Sequence, residues 1–429
     1  MKIAVLGLWH LGTVTAACVA GVGVSTIGID DDPDVVAKLG NGEPPLYEPG
    51  LAELVGQGLA SGRLSFATDT AKLTDADIVW ICHDTPVDDD DRADVESVVR
   101  RVEAAFPHLK DCAVVLVSAQ LPAGTVARLE ASFAAQANGR RVDFACSPEN
   151  LRLGRALDIF RNPGRIVIGI HHERSREKLA PLLERFCQNL LWMSVESAEM
   201  VKHSLNAFLA LSITFTNELA TIAERVGADA SDIEKALRSD PRIGPDAYVK
   251  AGTAFAGGTL ARDVQFLSAI ADKERVQAPL IGSIIESNRV HGRWSINQLR
   301  RRLGPLRGKA IAVLGLSYKP GTDAIRRSPA IELLRELLAD GATVRVYDPA
   351  VRKLPSEFAA ATMASDAADA TAGATAVVLA TEWPEFRELR AEHFTQGMDG
   401  RLVLDPAAFL PPAVREHPDL TILSIGRHA

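Results

Sequence analysis

Residues 3–12 read IAVLGLWHLG, and residues 311–320 read IAVLGLSYKP. In both stretches a short apolar run ends in a glycine, which is typical of a buried parallel strand followed by a tight turn. A helical pattern follows the first turn through Val14, Cys18 and Val19, and another lies over Pro329–Ala339. Because the same order of strand, turn and helix occurs twice, we predict two similar folds in one chain.

Further strand patterns extend both folds. In the N-terminal part they are Ser25–Ile29, Ile78–Cys82, Ala113–Ser118 and Arg165–Gly169, and in the C-terminal part they are Thr343–Tyr347, Ala376–Thr381 and Leu402–Asp405. Strands that alternate with helices indicate parallel sheets covered on both faces. We therefore predict the α/β class, with two Rossmann-type doubly wound parallel-sheet domains.

The stretch between the two folds has helical periodicity. From Ser197 to Ala236 apolar residues recur every three or four positions, among them Val201, Leu205 and Phe208. A long apolar helix needs a partner surface, so we expect a central helical region through which the chain dimerises. The predicted domains are residues 1–195, the dimerisation region over 196–300, and residues 301–429.

Composition and charge exclude several classes of function. The chain has 47% hydrophobic residues, 24% charged residues and a formal net charge of −8, which gives no electrostatic reason to bind nucleic acid or an anionic membrane. We see no secretory leader and no uninterrupted apolar window of ~18 residues, so we expect a cytoplasmic protein. The five cysteines lack C-x-x-C spacing, and we expect neither a disulfide framework nor a metal site.

The first glycine-rich turn indicates a dinucleotide site. In a Rossmann turn the first glycine makes the bend, the second admits the pyrophosphate and the third packs helix against strand. The expected contacts in this turn are Gly7, Leu11 and Gly12, but Trp9 replaces the second glycine. Asp30 ends the next strand, where a carboxylate binds the ribose 2′-hydroxyl of NAD and repels the 2′-phosphate of NADP. Taken alone, the turn also fits a strand-helix corner that merely needs glycine.

Motifs along nearly the whole chain strengthen the dinucleotide interpretation. They are Tyr47-Glu48-Pro49-Gly50-Leu51, Thr85-Pro86, Ser147-Pro148-Glu149-Asn150-Leu151-Arg152, Glu199-Met200-Val201-Lys202 with Asn206, Arg242-Ile243-Gly244, Gly257-Gly258 with Asp263, Tyr318-Lys319-Pro320-Gly321-Thr322-Asp323, Arg326, Ser328-Pro329 and Thr381-Glu382-Trp383. In this order they resemble the UDP-glucose/GDP-mannose dehydrogenase family. The resemblance implies an oxidoreductase with NAD on the N-terminal domain, a nucleotide sugar mainly on the C-terminal domain, and a homodimer.

In that family the C6 alcohol of the sugar is oxidised to a carboxylate by two hydride transfers. A cysteine thiolate adds to the intermediate aldehyde, and the second hydride transfer then gives a thioester that water hydrolyses. The resemblance implies catalytic roles for Glu149, Lys202, Asn206, Asp263 and the residue in the cysteine position. Further cofactor contacts are then expected at Thr85, Gln120, Arg262 and Arg326. Substrate contacts are expected at Glu149, Lys202, Arg242, Tyr248, Gly252 and Lys319, with Arg242 reaching the partner subunit's sugar.

The segment that holds the family's catalytic cysteine departs from the pattern. The family reads G-G-S-C-x-P-K-D there, and this chain reads Gly257-Gly258-Thr259-Leu260-Ala261-Arg262-Asp263. Counted back from Asp263, Thr259 takes the cysteine position. A thiol with a pKa near ~8.5 supplies thiolate near neutrality, whereas an alcohol needs a dedicated base, so we expect no efficient covalent adduct at Thr259. Leu153 stands where the family has a second glutamate, and a leucine can neither accept a proton nor order water. We expect Cys146 to be a buried thiol.

Three functions remain open at this point. The first is an NAD-dependent oxidoreductase acting on a nucleotide sugar, which stops after one hydride transfer or completes the second through an aldehyde hydrate. The second is an epimerase or isomerase that retains NAD and returns the hydride. The third is a non-catalytic nucleotide-sugar-binding protein. Because Lys202, Asn206, Asp263 and Lys319 are retained, we favour the oxidoreductase.

Overall fold

A computed structural model describes the whole chain except residues 87, 89–92, 149, 150, 257, 428 and 429. The chain divides into two compact units, residues 1–205 and residues 206–429. Each unit is described by itself below.

The first unit contains an eight-stranded sheet with the order β3-β2-β1-β4-β5-β6-β7-β8. Its strands are β1 (Lys2–Leu6), β2 (Ser25–Ile29), β3 (Leu64–Ala67), β4 (Ile78–Ile81), β5 (Val114–Val117), β6 (Asp143–Cys146), β7 (Ile166–Ile170) and β8 (Leu190–Met193). β1 pairs in parallel with β2 on one side and β4 on the other. The strand order therefore reverses between β1 and β4, and ligands of open α/β sheets bind at such a point, beyond the carboxyl ends of the strands.

Helices cover both faces of this sheet. They are α1 (His10–Gly21), α2 (Pro33–Gly40), α3 (Leu51–Ala60), α4 (Val95–Ala105), α5 (Thr125–Ala134), α6 (Ala156–Arg161) and α7 (Glu173–Leu183). Alternate residues of β1 enter different apolar clusters, Ile3 and Val5 on one face and Ala4 and Leu6 on the other. The central strands are apolar throughout because each of their faces is buried.

One strand departs from the predicted parallel sheet. β7 pairs with β6 in antiparallel register, through Ala145 with Ile170 and Cys146 with Gly169, whereas β7 and β8 are parallel. The prediction that residues 165–169 continue a purely parallel sheet is therefore wrong. Between β6 and β7 the described residues contain only the six-residue helix α6, and a return to a parallel strand usually needs a longer crossover helix.

Helix α8 spans Val195–Val226, and residue 205, the last of the first unit, lies within it. The predicted long helix is confirmed, but it ends before Ala236. Gly227 adopts a φ of 76°, and a glycine in this left-handed conformation commonly ends a helix. By length and composition alone α8 could cross a membrane, a test that core helices of soluble proteins also pass.

The second unit contains a six-stranded parallel sheet with the order β11-β10-β9-β12-β13-β14. Its strands are β9 (Ala310–Leu314), β10 (Thr343–Tyr347), β11 (Thr362–Met363), β12 (Ala376–Leu379), β13 (Leu402–Leu404) and β14 (Thr421–Leu423). The predicted strands are present, although Thr381 and Asp405 lie just beyond the ends of β12 and β13.

Further helices belong to the second unit. They are α9 (Ala230–Ser239), α10 (Thr259–Lys273), α11 (Pro279–Gly292), α12 (Trp294–Leu303), α13 (Pro329–Ala339), α14 (Ala367–Thr371), α15 (Ala391–Thr395) and α16 (Pro412–Arg415). Ala207 and Ala210 of α8, Val264 of α10 and Ile284 of α11 form a small buried apolar cluster. This cluster packs the N-terminal half of α10 against α8.

Candidate cofactor and substrate sites

The turn between β1 and α1 has no space for side chains at two glycines. Gly7 has a φ of 85°, and a Cβ atom there would lie 2.6 Å from Nδ1 of His83. A Cβ atom on Gly12 would lie 1.7 Å from the carbonyl oxygen of Gly7. Trp9 instead has a φ of −70° and is 45% exposed. The backbone at Trp9 therefore does not require glycine, and the chain accommodates the large side chain.

Asp30 follows β2 and faces the same turn. Its Oδ2 atom accepts a hydrogen bond from the backbone amide of Leu8 at 2.6 Å, and Oδ1 accepts one from the amide of Asp32 at 3.1 Å. Partial burial raises the pKa of Asp30, since it outweighs these two hydrogen bonds. A carboxylate offers more acceptor positions than two amides use. Asp30 can therefore also accept a ribose hydroxyl.

A pocket of about 130 Å³ lies at this edge of the sheet, and its lining includes His10, Leu11, His83 and Gln120. Thr85 donates a hydrogen bond from Oγ1 to the carbonyl oxygen of Gln120 at 2.8 Å. The structure thus gathers the expected cofactor residues of the first unit around the carboxyl ends of β1, β4 and β5.

Lys202 lies on α8 and lines a second, very small pocket with Gln120, Cys146 and Glu199. Glu199 is 5% exposed and accepts hydrogen bonds from the backbone amides of Gly124 at 2.7 Å and of residue 126 at 3.0 Å. Burial raises the pKa of Glu199. Burial, together with the charge of Glu199, also raises the pKa of the Cys146 thiol. Cys146 therefore stays protonated and is a poor nucleophile.

In the second unit, Asn206 of α8 donates a hydrogen bond from Nδ2 to Oδ2 of Asp263 in α10. Asp263 is fully buried. Thr259 is the first residue of α10 and is exposed, and Arg262 lies in the same first turn. Because residues four apart share a face of a helix, Thr259 lies on the side of α10 that carries Asp263. Glu149, predicted as a base and substrate contact, lies outside the described residues.

The expected substrate contacts of the second unit lie at separate places. Arg242 is exposed and forms an ion pair with Asp240, with 2.6 Å between Nη2 and Oδ2. Gly252 donates its amide to Oδ1 of Asn217 at 2.9 Å. Two further expected substrate contacts, Tyr248 and Lys319, are exposed, and so is Arg326, an expected cofactor contact. Among the described residues, no hydrogen bond or ion pair links Arg242, Tyr248 and Lys319 to one another.

The second glycine turn repeats the first but uses its acidic residue differently. A Cβ atom on Gly315 would lie 2.5 Å from Cβ of Thr381. Asp348, which follows β10 as Asp30 follows β2, accepts hydrogen bonds at Oδ2 from the amide of Leu316 at 2.7 Å and from the indole of Trp383 at 3.1 Å. Burial alone would raise the pKa of Asp348, but backbone hydrogen bonds lower it. This carboxylate is thus occupied in holding the turn together.

His10 has a partner that its sequence position does not predict. Nε2 of His10 lies 3.1 Å from Oε2 of Glu48, although 38 residues separate them. Glu48 is 4% exposed and also accepts hydrogen bonds from the backbone amides of Gly154 at 2.8 Å and Ala156 at 2.7 Å. The only signal in the sequence is the position of Glu48 in the Tyr47-Glu48-Pro49 motif, because no local spacing rule relates it to His10.

Models of three domains of one family match the chain in order. The NAD binding domain of the UDP-glucose/GDP-mannose dehydrogenase family matches residues 1–187, the central domain matches 196–290, and the UDP binding domain matches 312–412. The predicted cofactor, NAD, is thereby confirmed.

Individual relatives agree with the domain matches. A UDP-glucose 6-dehydrogenase of Haloferax volcanii is 36% identical and covers 94% of this chain and 96% of its own length. One of Pseudomonas aeruginosa is 32% identical and covers 100% of this chain and 98% of its own. The structure of a UDP-glucose dehydrogenase from Pyrobaculum islandicum has a TM-score of 0.85 and 32% identity, over 100% of this chain and 98% of that one.

These similarities confirm the predicted fold class and the prediction of an NAD-dependent oxidoreductase acting on a CH–OH group of a nucleotide sugar. The chain belongs to the UDP-glucose/GDP-mannose dehydrogenase family.

Proposed function

We propose that the protein oxidises the C6 hydroxymethyl group of UDP-glucose with NAD, and that no enzyme-bound thioester forms. The match of residues 312–412 to a UDP binding domain supports UDP, and two UDP-glucose 6-dehydrogenases among the relatives support glucose. The absence of a thioester is inferred from the position of Thr259, which lies one helical turn before Asp263. Asp263 is in turn hydrogen-bonded to Asn206. An alcohol stands where the thioester route needs a thiol.

Neither Cys146 nor Cys18 is suited to replace the missing nucleophile. All five lie at or before Cys187, and residues 188–429 contain none. Cys146, which shares a pocket with Lys202, is 6% exposed and has a raised pKa because it is buried beside Glu199. Burial also raises the pKa of Cys18 to about 12. Both thiols stay protonated at neutral pH.

The first oxidation breaks the C6–H bond and the O–H bond of the alcohol. Bound NAD would supply the hydride acceptor and a base would take the hydroxyl proton, so that an aldehyde would form. Negative charge builds on the C6 oxygen during this step, and we assign its stabilisation to the ammonium of Lys202 and the side-chain N–H of Asn206. The hydrogen bond to Asp263 fixes the amide plane of Asn206, so that little reorientation is needed in the transition state.

The second oxidation then proceeds through water rather than through a thiol. A water molecule adds to the aldehyde and gives a gem-diol. Loss of a proton to a base and of a hydride to a second bound NAD would convert the gem-diol to the carboxylic acid. We assign to Asp263 the ordering of this water. Because the aldehyde is not held covalently, we expect it to accumulate before the carboxylate forms.

We place the nucleotide on the second unit. Lys319 follows β9, and its ammonium lies 5.4 Å from the centroid of the Tyr318 ring. An exposed ammonium can make a charge-assisted contact with a diphosphate. The Arg242 side chain is 88% exposed, and we assign it to the sugar bound by a partner subunit.

We further propose that the protein is a cytoplasmic homodimer joined through α8. Phe208, Phe215 and Ile222 are 65%, 54% and 58% exposed. They recur every seven residues and so form one apolar stripe along the helix. A stripe of this kind is covered when a second copy packs against it.

The test is the number of NADH molecules formed per UDP-glucose, combined with mass spectra of the product and of the intact protein. We expect one NADH with early aldehyde, rising slowly towards two with carboxylate, and no protein adduct. If the sugar is altered but no net NADH forms, the protein is an NAD-retaining epimerase and the proposed oxidation is wrong. Binding of both ligands without any reaction would replace it with a binding protein, and a trapped acyl-enzyme would refute the absence of a thioester.

A further inference from the structure

The pocket of about 130 Å³ beside the glycine turn is lined by two histidines, His10 and His83. His10 is the first residue of α1, so it lies at the helix end where backbone amides and the helix dipole attract anions. His83 follows β4 and packs over Gly7. Both residues line this pocket, which lies beside the kind of turn that receives a pyrophosphate in Rossmann folds.

Glu48 fixes the protonation of one ring nitrogen of His10. Burial alone would raise the pKa of Glu48, but hydrogen bonds from the amides of Gly154 and Ala156 and from His10 lower it overall. The carboxylate is therefore ionised and can only accept hydrogen bonds. Nε2 of His10, at 3.1 Å from Oε2 of Glu48, must then carry a hydrogen.

The other ring nitrogen, Nδ1, determines what the pocket can bind. Among the described residues Nδ1 of His10 has no hydrogen-bond partner. In a neutral imidazole with its hydrogen on Nε2, Nδ1 is an acceptor. Phosphate oxygens are acceptors as well, so His10 can contact a phosphate through Nδ1 only after taking up a second proton. The carboxylate of Glu48 stabilises the resulting imidazolium.

His83 supplies an independent sign that a polar ligand belongs here. It is 7% exposed, and neither of its ring nitrogens has a hydrogen-bond partner among the described residues. Buried polar atoms without partners are rare in folded proteins. Burial and the nearby Arg101 lower the pKa of His83 to about 4. His83 is therefore neutral and does not provide the positive charge itself.

A local cation would offset the acidic surroundings of the turn. Asp30, Asp31 and Asp84 lie around the turn, and Arg101 is close to Asp31, with 3.7 Å between Nε and Oδ2. Among the described residues, Cys82, His83 and Asp84 are the titratable side chains that line the pocket with His10, and Glu48 is hydrogen-bonded to His10. A pyrophosphate carries two negative charges and would otherwise meet an acidic edge.

We propose that His10 binds the pyrophosphate of NAD as an imidazolium, with Nδ1 donating to a phosphate oxygen and Glu48 as the counter-charge, so that NAD binding takes up a proton. This proposal rests on the assignment of NAD to the first unit. It gives this chain a side-chain phosphate contact beside a turn whose second glycine is a tryptophan.

The test is calorimetry of NAD binding at pH 7.5 in two buffers that differ in ionisation enthalpy, repeated with ADP-ribose and with adenosine. Proton uptake is expected with NAD and ADP-ribose, which contain the pyrophosphate, and not with adenosine. NAD affinity should fall as the pH rises from 6 to 8.5, by at most about tenfold per pH unit for one linked proton. This measurement needs no variant and so does not depend on one that folds.

His10→Gln keeps a donor for Glu48 but cannot be protonated. We expect it to remove the proton uptake and to weaken NAD about 5–30-fold at pH 6.5, with a smaller difference at pH 8.5. His172→Gln, at an exposed histidine of the same unit, should behave like the parent. Tight NAD binding without proton uptake would overturn the role of His10 alone. Absence of NAD binding by the parent would overturn the cofactor assignment and this inference together.

Discussion

The carboxylate of Asp30 accepts a 2.6 Å hydrogen bond from the backbone amide of Leu8. This contact fixes the carboxylate against the glycine turn, where a ribose 2′-hydroxyl would reach it and a 2′-phosphate would be repelled. We therefore expect NAD to bind at least tenfold more tightly than NADP. Asp30→Ala should lower the affinity for NAD about tenfold and reduce the preference for NAD over NADP, as measured by calorimetry.

Glu43→Ala is the matched control for Asp30→Ala, because Glu43 is an exposed carboxylate of the same unit. It should leave the preference for NAD nearly unchanged. Tighter binding of NADP than of NAD by the parent would contradict the role of Asp30.

Lys319→Ala should lower the affinity for UDP-glucose about 10–100-fold, since a charge-assisted contact with the diphosphate is lost. NAD affinity should stay within twofold of the parent value, because NAD binds to the first unit. Lys353→Ala, at an exposed lysine of the same unit, serves as the control and should change neither affinity. Equal losses for both ligands on Lys319→Ala would show that the assignment of two separate sites is wrong.

Phe215→Asp should convert the protein to a monomer at micromolar concentration, because it places a charge in the apolar stripe of Phe208, Phe215 and Ile222 on α8. Light scattering with a concentration series measures this directly. Leu191→Ser removes an exposed apolar side chain from β8 in the first unit and should leave the dimer intact. A parent that is monomeric at all these concentrations would exclude the dimer.

Asp143 provides a prediction for acid stability. It accepts a 2.7 Å hydrogen bond from Nε of Arg174, and although burial raises its pKa, Arg174 lowers the pKa overall. A folded-state pKa below the unfolded one stabilises the fold above the unfolded value of about 3.9, and this contribution is lost as the pH falls through the folded-state pKa. Asp143→Asn should destabilise the fold by about 1–3 kcal/mol at pH 7 and by less at pH 3, as measured by urea unfolding.

The pattern of the chain predicts most of the fold and only part of the site. Apolar runs that end in glycine identify β1 and β9 because a buried parallel strand needs apolar side chains on both faces. The reversal at β7 could not be predicted, since strand direction depends on how the connection between β6 and β7 crosses the sheet and not on the composition of the strand. Motif order identified Asn206 and Asp263. The contact between His10 and Glu48 could not be predicted, because it depends on the folding of a loop 38 residues away.

The last prediction concerns Thr259, which begins α10 one turn before the buried Asp263. Thr259→Cys, combined with Leu153→Glu and Arg262→Lys, should gain carboxylate formation at least tenfold above the parent. The thiol offers a usable thiolate fraction near neutrality, whereas the hydroxyl of threonine requires a dedicated base. Intact-protein mass spectra with substrate and NAD in excess should show an adduct in the triple variant and none in the parent. Thr259→Ser, which keeps an alcohol at this position, is the control and should form no adduct.

Rapid carboxylate production by the parent, with an adduct at Thr259, would refute the absence of a thioester-like intermediate, because it would show that an alcohol at the start of α10 is activated. If the parent and the triple variant both bind the two ligands and neither makes aldehyde or carboxylate, the defect lies in hydride transfer, at Trp9 or Asp84 beside the cofactor, and the proposed oxidation is refuted.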